Sequence, residues 1–235
     1  MKNHIANLGS RAATGGLAVA LLSVATVLAA DSPSDKSELA PLPLKLPAPT
    51  IKGTPSDLPE GPTIEPLSDK PRPPFLAPKG ATNVAVGKPV TASVTPFSGE
   101  LSLITDGQKE AFDEQAVEMK KGLQHIQVDL GADYTLYAIV IWHDHRYLQI
   151  FRDVIVQVAD DPEFTKNVTT LFNNDSDNSS GLGAGTDREY FETAQGRLID
   201  AKGTKARYVR AYTRGGNLSA INVVQEIEVY ALPAQ

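Results

Sequence analysis

The 235-residue chain has no cysteine. This excludes disulfides, thiolate nucleophiles, cysteine metal sites and a lipoprotein anchor, which needs a cysteine after its signal. Catalytic signatures are missing too: there is no serine elbow, HExxH motif or glycine-rich phosphate loop. Glu110, Asp113, Glu114 and Glu118 read as a solvated acidic face rather than a catalytic pair. There is no basic cluster either. The formal net charge of −6 becomes −8 without Lys2 and Arg11. An acidic chain of this kind argues against nucleic acid and anionic membrane surfaces. It suits neutral ligands such as sugars, basic partners and divalent cations. Helical periodicity is scarce, with only Gln115–Lys121 suggesting a short turn. No internal repeat is present, and no segment past residue 30 is apolar enough to span a bilayer.

Three regions differ in character. Residues 1–30 read as an export signal. Lys2 and Arg11 are basic, no acid precedes Asp31, and an apolar run extends from Ala12 to Ala30. Cleavage fits before Ala30, with Val27 and Ala29 in the recognition positions, or before Asp31, with Leu28 and Ala30. The alternative is an uncleaved anchor, but Thr14, Gly15, Gly16, Ser23 and Thr26 dilute the run. The expected compartment is secreted, periplasmic or cell-surface, with no membrane insertion after cleavage.

Residues 31–80 hold thirteen of the seventeen prolines and one aromatic, Phe75. Proline removes backbone donors and fixes φ, so an extended, disordered Pro-rich spacer is expected. Residues 81–235 are long enough for one substantial core.

That last region carries five strand-like blocks: His125–Leu130, Leu136–Trp142, Val154–Asp161, Lys205–Thr213 and Glu226–Leu232. Each is rich in β-branched and aromatic residues and has the length of a strand. Val154, Val156 and Val158 alternate with Ile155, Gln157 and Ala159, and Ile227 and Val229 alternate with Glu226, Glu228 and Tyr230. Turn residues separate the blocks. An all-β sandwich is expected, with its chemistry in the loops.

Trp142-His143-Asp144-His145-Arg146-Tyr147 follows an apolar strand and so should sit at a loop mouth. Sugars are held by an aromatic face plus planar donors and acceptors. Trp142 or Tyr147 would stack, with His143, His145 and Arg146 bonding hydroxyls. Three alternatives stand beside this: core packing of Trp142, a metal seated by His143 and His145, and simple pairing of Arg146 with Asp144. In the loop Arg214–Asn222, Asn217 and Asn222 would supply amides or only shape the turn. The Asn/Asp/Gly-rich stretch Asn173–Thr186 alternates Asp175, Asp177 and Ser179, but without EF-hand spacing, and reads as a loop.

A family resemblance joins these features. Asn83–Ser93, Thr105-Asp106-Gly107, Gln127-Val128-Asp129-Leu130-Gly131, Ala206–Arg210 and Glu226–Tyr230 resemble, in order, the hallmark segments of discoidin or coagulation factor V/VIII C-type domains. Bacterial examples are similar to family-32 carbohydrate-binding modules. The resemblance implies a jelly-roll β-sandwich of galactose-binding type. Two departures stand out: the aromatic before the QVDLG-like strand is replaced by Gln124-His125, and the Asn173–Thr186 loop is additional. The family's structural calcium site, carried over, falls on Asp106 and Glu226, with Gln108 in a place usually held by a shorter Asn or Asp. The other reading of Asp106 is a turn cap, and of Glu226 a solvent-facing strand residue. The basic sugar-contacting residue of related modules falls nearest His143. The expected function is an exported, non-catalytic module recognising carbohydrate or cell-surface glycan. The alternative is a structural or protein-interaction component of the cell envelope, partnered by envelope proteins.

Overall fold

A computed structural model describes residues 38–50 and 57–234; the expected export signal lies outside the described residues. The strands are β1 (Leu39–Pro41), β2 (Leu76–Pro78), β3 (Thr82–Asn83), β4 (Val90–Ala92), β5 (Val117–Met119), β6 (Gln124–His143), β7 (Ile155–Ala159), β8 (Thr169–Asn173), β9 (Arg197–Thr213) and β10 (Asn222–Pro233). The helical elements among the described residues are two 3-10 turns, Leu101–Thr105 and Asp113–Gln115. No helix among the described residues is long and apolar enough to cross a membrane.

The main ladder runs β3-β10-β6-β9-β7-β8, with β4 added on β6 and β5 on β10. Its pairings are antiparallel. The blocks His125–Leu130 and Leu136–Trp142 are one strand, β6, rather than two. Gly131, at φ 82°, lets the chain turn a corner there. Strand β9 passes this corner at Arg207, and a second irregularity, opposite Tyr137, is taken up by Lys202 at φ 53° and Gly203 at φ 75°. The pairing therefore continues on both sides of the corner: Gln124–Asp129 faces Thr213–Tyr208, and Tyr134–Ile141 faces Ala206–Arg197. The two halves close on one core. Ile126, Val128 and Leu130 from the first half share a buried cluster with Leu136, Ile139 and Ile141 from the second, and with Val156, Val158, Val209, Ile227 and Val229. This is the expected β-sandwich.

The other face of β6 and β10 is also buried. Ala138, Val140, Trp142 and Tyr230 form a second cluster, against which Leu42, Leu44, Phe75 and Leu198 pack. The expectation of a disordered spacer over 31–80, with the domain beginning at 81, does not hold for the described part of that stretch. Strands β1 and β2 pair, Leu39 opposite Pro78 and Pro41 opposite Leu76. The Leu42 N–H donates to Phe75 O (3.0 Å) and the Glu65 N–H to Glu189 O (2.8 Å). Proline is tolerated on an edge ladder because an edge strand leaves alternate N–H groups unused. The leucines and Phe75 between the prolines supply apolar surface to bury.

Candidate functional site

Trp142 and His143 are the last residues of β6, paired with Glu226 and Val224 of β10. Trp142 is fully buried, and its Nε1–H donates to Ala194 O at 3.1 Å. It has no free face for a sugar, so the core-packing alternative is the correct one. His143 is also buried: Nδ1 lies 2.7 Å from Glu192 Oε1, and the ring stacks on Phe151 with centroids 4.5 Å apart. His145 is fully buried with Nε2 2.9 Å from Lys109 O. The two histidines thus engage separate partners, and neither reaches solvent to bond a sugar hydroxyl. The expected ligand roles of Trp142, His143 and His145 are overturned because residues 190–196 fold over Trp142 and His143, and His145 is turned inward onto Lys109. Glu192, the missed partner, carries no local sequence signal.

The segment reaches the surface only at Arg146 and Tyr147. Arg146 donates Nε to Asp144 Oδ1 (2.8 Å) and Nη2 to Oδ2 (2.9 Å), a two-pronged grip that fixes its guanidinium plane. Burial pushes the Asp144 carboxyl above its usual range, with Glu192 and Glu118 adding repulsion. Tyr147 is 57% exposed, and the Arg146 guanidinium lies 5.8 Å from its ring centroid. Asn217 serves the scaffold. Its Oδ1 accepts from the Ile150 N–H (2.9 Å) while its own N–H donates to Ile150 O (3.0 Å). This clamp ties the loop 214–221 to the loop carrying Tyr147. Asn222 likewise shapes the turn, its Oδ1 accepting from the Gly215 N–H at 2.7 Å.

The Asp-Gly turn and β10 meet. The Asp106 carboxylate caps its turn, Oδ1 accepting from the Gln108 N–H at 2.8 Å. Gln108 is exposed, with Nε2 3.4 Å from Asp106 Oδ2. Glu226 does not face solvent. It is fully buried, Oε1 accepts from the Gly107 N–H at 3.2 Å, and Oε2 has no partner. Burial, then repulsion from Glu228 and Asp106, push its pKa up to about 9. Glu228 is occupied by Lys109 Nζ and by the Tyr230 hydroxyl, the latter at 2.8 Å. An orphaned buried carboxylate oxygen with Asp106 and Glu228 close enough to repel it fits a hard divalent cation.

In the Asn173–Thr186 loop, carboxylate oxygens of Asp175 and Asp177 come within 4.8 Å of each other and of Asp153. Each already accepts at least one hydrogen bond from its surroundings. Arg214 and the Ser179 hydroxyl bind Asp153, and the Ser179 and Ser180 N–H groups donate to Asp175. The loop is shaped by its own hydrogen bonds, as read from the sequence.

A cavity of about 190 Å³ opens between residues 65–72 and 190–198. No sequence pattern marks it, because one wall comes from the Pro-rich stretch.

No family model matches the chain, and no curated protein matches it. Solved structures do. A family 89 glycoside hydrolase from Clostridium perfringens is 16% identical at a TM-score of 0.47, over 65% of this chain and 15% of that one. The chain therefore spans about a seventh of that enzyme's length. A family-32 carbohydrate-binding module from the same organism, solved with GlcNAc-α-1,4-galactose, is 17% identical at 0.46, over 66% and 96%. A fucose binding module from Streptococcus pneumoniae is 18% identical at 0.45, over 64% and 98%.

Proposed function

We propose that this chain is an exported, non-catalytic module that binds carbohydrate through the loops at one end of its sandwich. The observation that carries the reading is the Arg146–Tyr147 pair. An exposed aromatic ring stands beside a guanidinium locked in plane by Asp144, on a loop clamped at both ends of Ile150 by Asn217. A sugar ring is recognised by that combination: an aromatic face for its C–H surface and a fixed planar donor for its hydroxyls. The platform is shallow, so single-site binding is weak and gains strength through repeated engagement of a polymer. The partner is a glycan or cell-surface polysaccharide in a secreted, periplasmic or surface setting.

A structural Ca2+ held by Asp106 and Glu226, with Gln108 at the rim, belongs to the same reading. When bound it supplies positive charge where two carboxylates repel. The chain's own part is to bring the 106–108 turn onto β10 through the Gly107–Glu226 hydrogen bond. It serves the scaffold of a chain without disulfides.

The test is a glycan array with the exported chain, with Ca2+ and then with chelator. Binding to a defined glycan, weakened at least tenfold by Tyr147→Ala with an unchanged melting temperature, is the expected result. A Tyr147→Ala protein that binds like the parent sinks this site. Silence of the folded protein on the whole array moves the function to protein contacts in the envelope.

A further inference from the structure

Arg72 holds the Pro-rich stretch to the sandwich in an unusual way. Its Nη1 donates to Gly196 O (3.0 Å), its Nη2 to Gln195 O (3.1 Å) and its backbone N–H to Gln195 Oε1 (2.7 Å). These acceptors are neutral, so no carboxylate among them balances the charge. Burial, then the neighbouring Arg197 guanidinium, pull Arg72 below the usual arginine range. Arg197 lies in the opposite wall. It is paired with Glu65 at 2.9 Å through both terminal nitrogens, and its guanidinium sits 4.8 Å and 4.7 Å from the Phe172 and Tyr190 ring centroids. Its Nε is buried without a partner.

The cavity between these walls is lined by Lys70 as well, so three cations face one carboxylate, Glu65. Ser68, Thr193 and Gln195 add hydroxyls and an amide to the lining. Two guanidinium groups sharing a half-buried space repel, and an oxyanion between them removes that repulsion. Planar carboxylates match arginine's fork of donors better than other anions of one charge. The volume, about 190 Å³, lies below the range typical of drug-sized ligands and suits one ring rather than an oligomer.

We propose that this seam is a second ligand pocket, in which Arg72 and Lys70 hold the carboxylate of one acidic sugar unit and Ser68, Thr193 and Gln195 take its hydroxyls. The carboxylate recognition stands on the charge and shape of the seam; the sugar ring rests on the carbohydrate-binding function proposed above. The pocket is separate from the Arg146–Tyr147 platform. It exists only because the Pro-rich stretch docks on the sandwich.

The experiment is a two-dimensional NMR titration of the full chain with galacturonate, galactose and sodium sulfate. Galacturonate shifts the Arg72 and Gln195 side-chain resonances saturably, and galactose does not. Arg72→Gln weakens galacturonate binding at least tenfold, the loss expected for one charge-assisted hydrogen-bonding group. Since Arg72 also anchors its segment, Lys70→Glu is the second variant. Lys70 is exposed at the rim, and reversing its charge weakens galacturonate several-fold without touching the fold. Both variants keep the Tyr147-dependent glycan binding, whereas Tyr147→Ala keeps galacturonate binding. Unshifted Arg72 resonances, equal binding of galactose, or galacturonate affinity unchanged in both variants overturns the pocket. Sulfate bound as tightly as galacturonate overturns the sugar assignment and leaves a general anion site.

Discussion

The Trp142 indole fills the space that a side chain on residue 196 would need. A Cβ placed on Gly196 would lie 2.6 Å from Trp142 Cε2, and Gly196 itself sits at φ 60°. Gly196→Ala therefore meets both a left-handed backbone penalty and an overpacked ring. We expect a loss of about 2–5 kcal/mol of stability, summed from those two effects. Chemical denaturation measures it; a variant as stable as the parent would mean that the indole moves freely.

Trp142→Ala and His143→Ala act on stability rather than on a sugar contact. Removing the buried indole costs about 3–5 kcal/mol. Removing His143 leaves the buried Glu192 side chain without its hydrogen-bond partner, at a cost of about 1–3 kcal/mol or more. Either loss is a large fraction of a domain's net stability of about 5–15 kcal/mol. Melting temperatures fall in both variants. Loss of glycan binding by a fully stable His143→Ala protein would contradict this.

Trp142 is the single tryptophan, so its fluorescence reports the face that the Pro-rich stretch covers. A chain beginning at residue 81 loses the cover of Leu42, Leu44 and Phe75. Its emission moves to the red and its melting temperature drops relative to a chain beginning at residue 38. Identical spectra and melting curves would show that the stretch adds nothing to the folded domain.

Ca2+ raises the melting temperature of the parent protein, and chelator reverses the effect. Glu226→Gln removes the response. In chelator at neutral pH the variant melts close to the parent, because the buried Glu226 carboxyl, pushed up to about 9, is already protonated there. A Ca2+ response that survives Glu226→Gln places any ion elsewhere, with the Asp153, Asp175 and Asp177 group the next place to look.

His125 gives the acid limb of stability. Burial, then the Arg210 guanidinium, lower its pKa from 6.5 to about 4 in the folded protein. The unfolded chain takes up the proton first as pH falls, so this contribution is complete above 6.5, declines from 6.5 to about 4, and is level below. His125→Gln flattens that part of the stability profile. An imidazole NMR titration centred at 6.5 would remove the effect.

The strand blocks were legible because period-two alternation and β-branched composition are local. The Asp-Gly turn and its distant glutamate were legible through a family's spacing. Other features were not. His125–Leu130 and Leu136–Trp142 read as separate strands, since nothing local says that β9 bends in step with β6 at Gly131. Trp142 and His143 read as a loop mouth because their covers, Glu192, Ala194 and Gly196, lie about fifty residues downstream, and His145 did because its partner, Lys109, lies well upstream. Glu226 alternates with Ile227 and so reads as a solvent-facing residue. Alternation separates one face from the other, but it does not say whether the second face meets water. The amino-acid sequence by itself determined an all-β chain with no disulfide and no thiol chemistry. Tertiary structure alone decided that the Pro-rich stretch lies across the outer face. That contact buried the outer face of β6 and created the arginine-lined seam, while residues 190–196 and Lys109 took three expected ligand residues from solvent, because burial depends on which distant surface arrives, and composition carries no record of that.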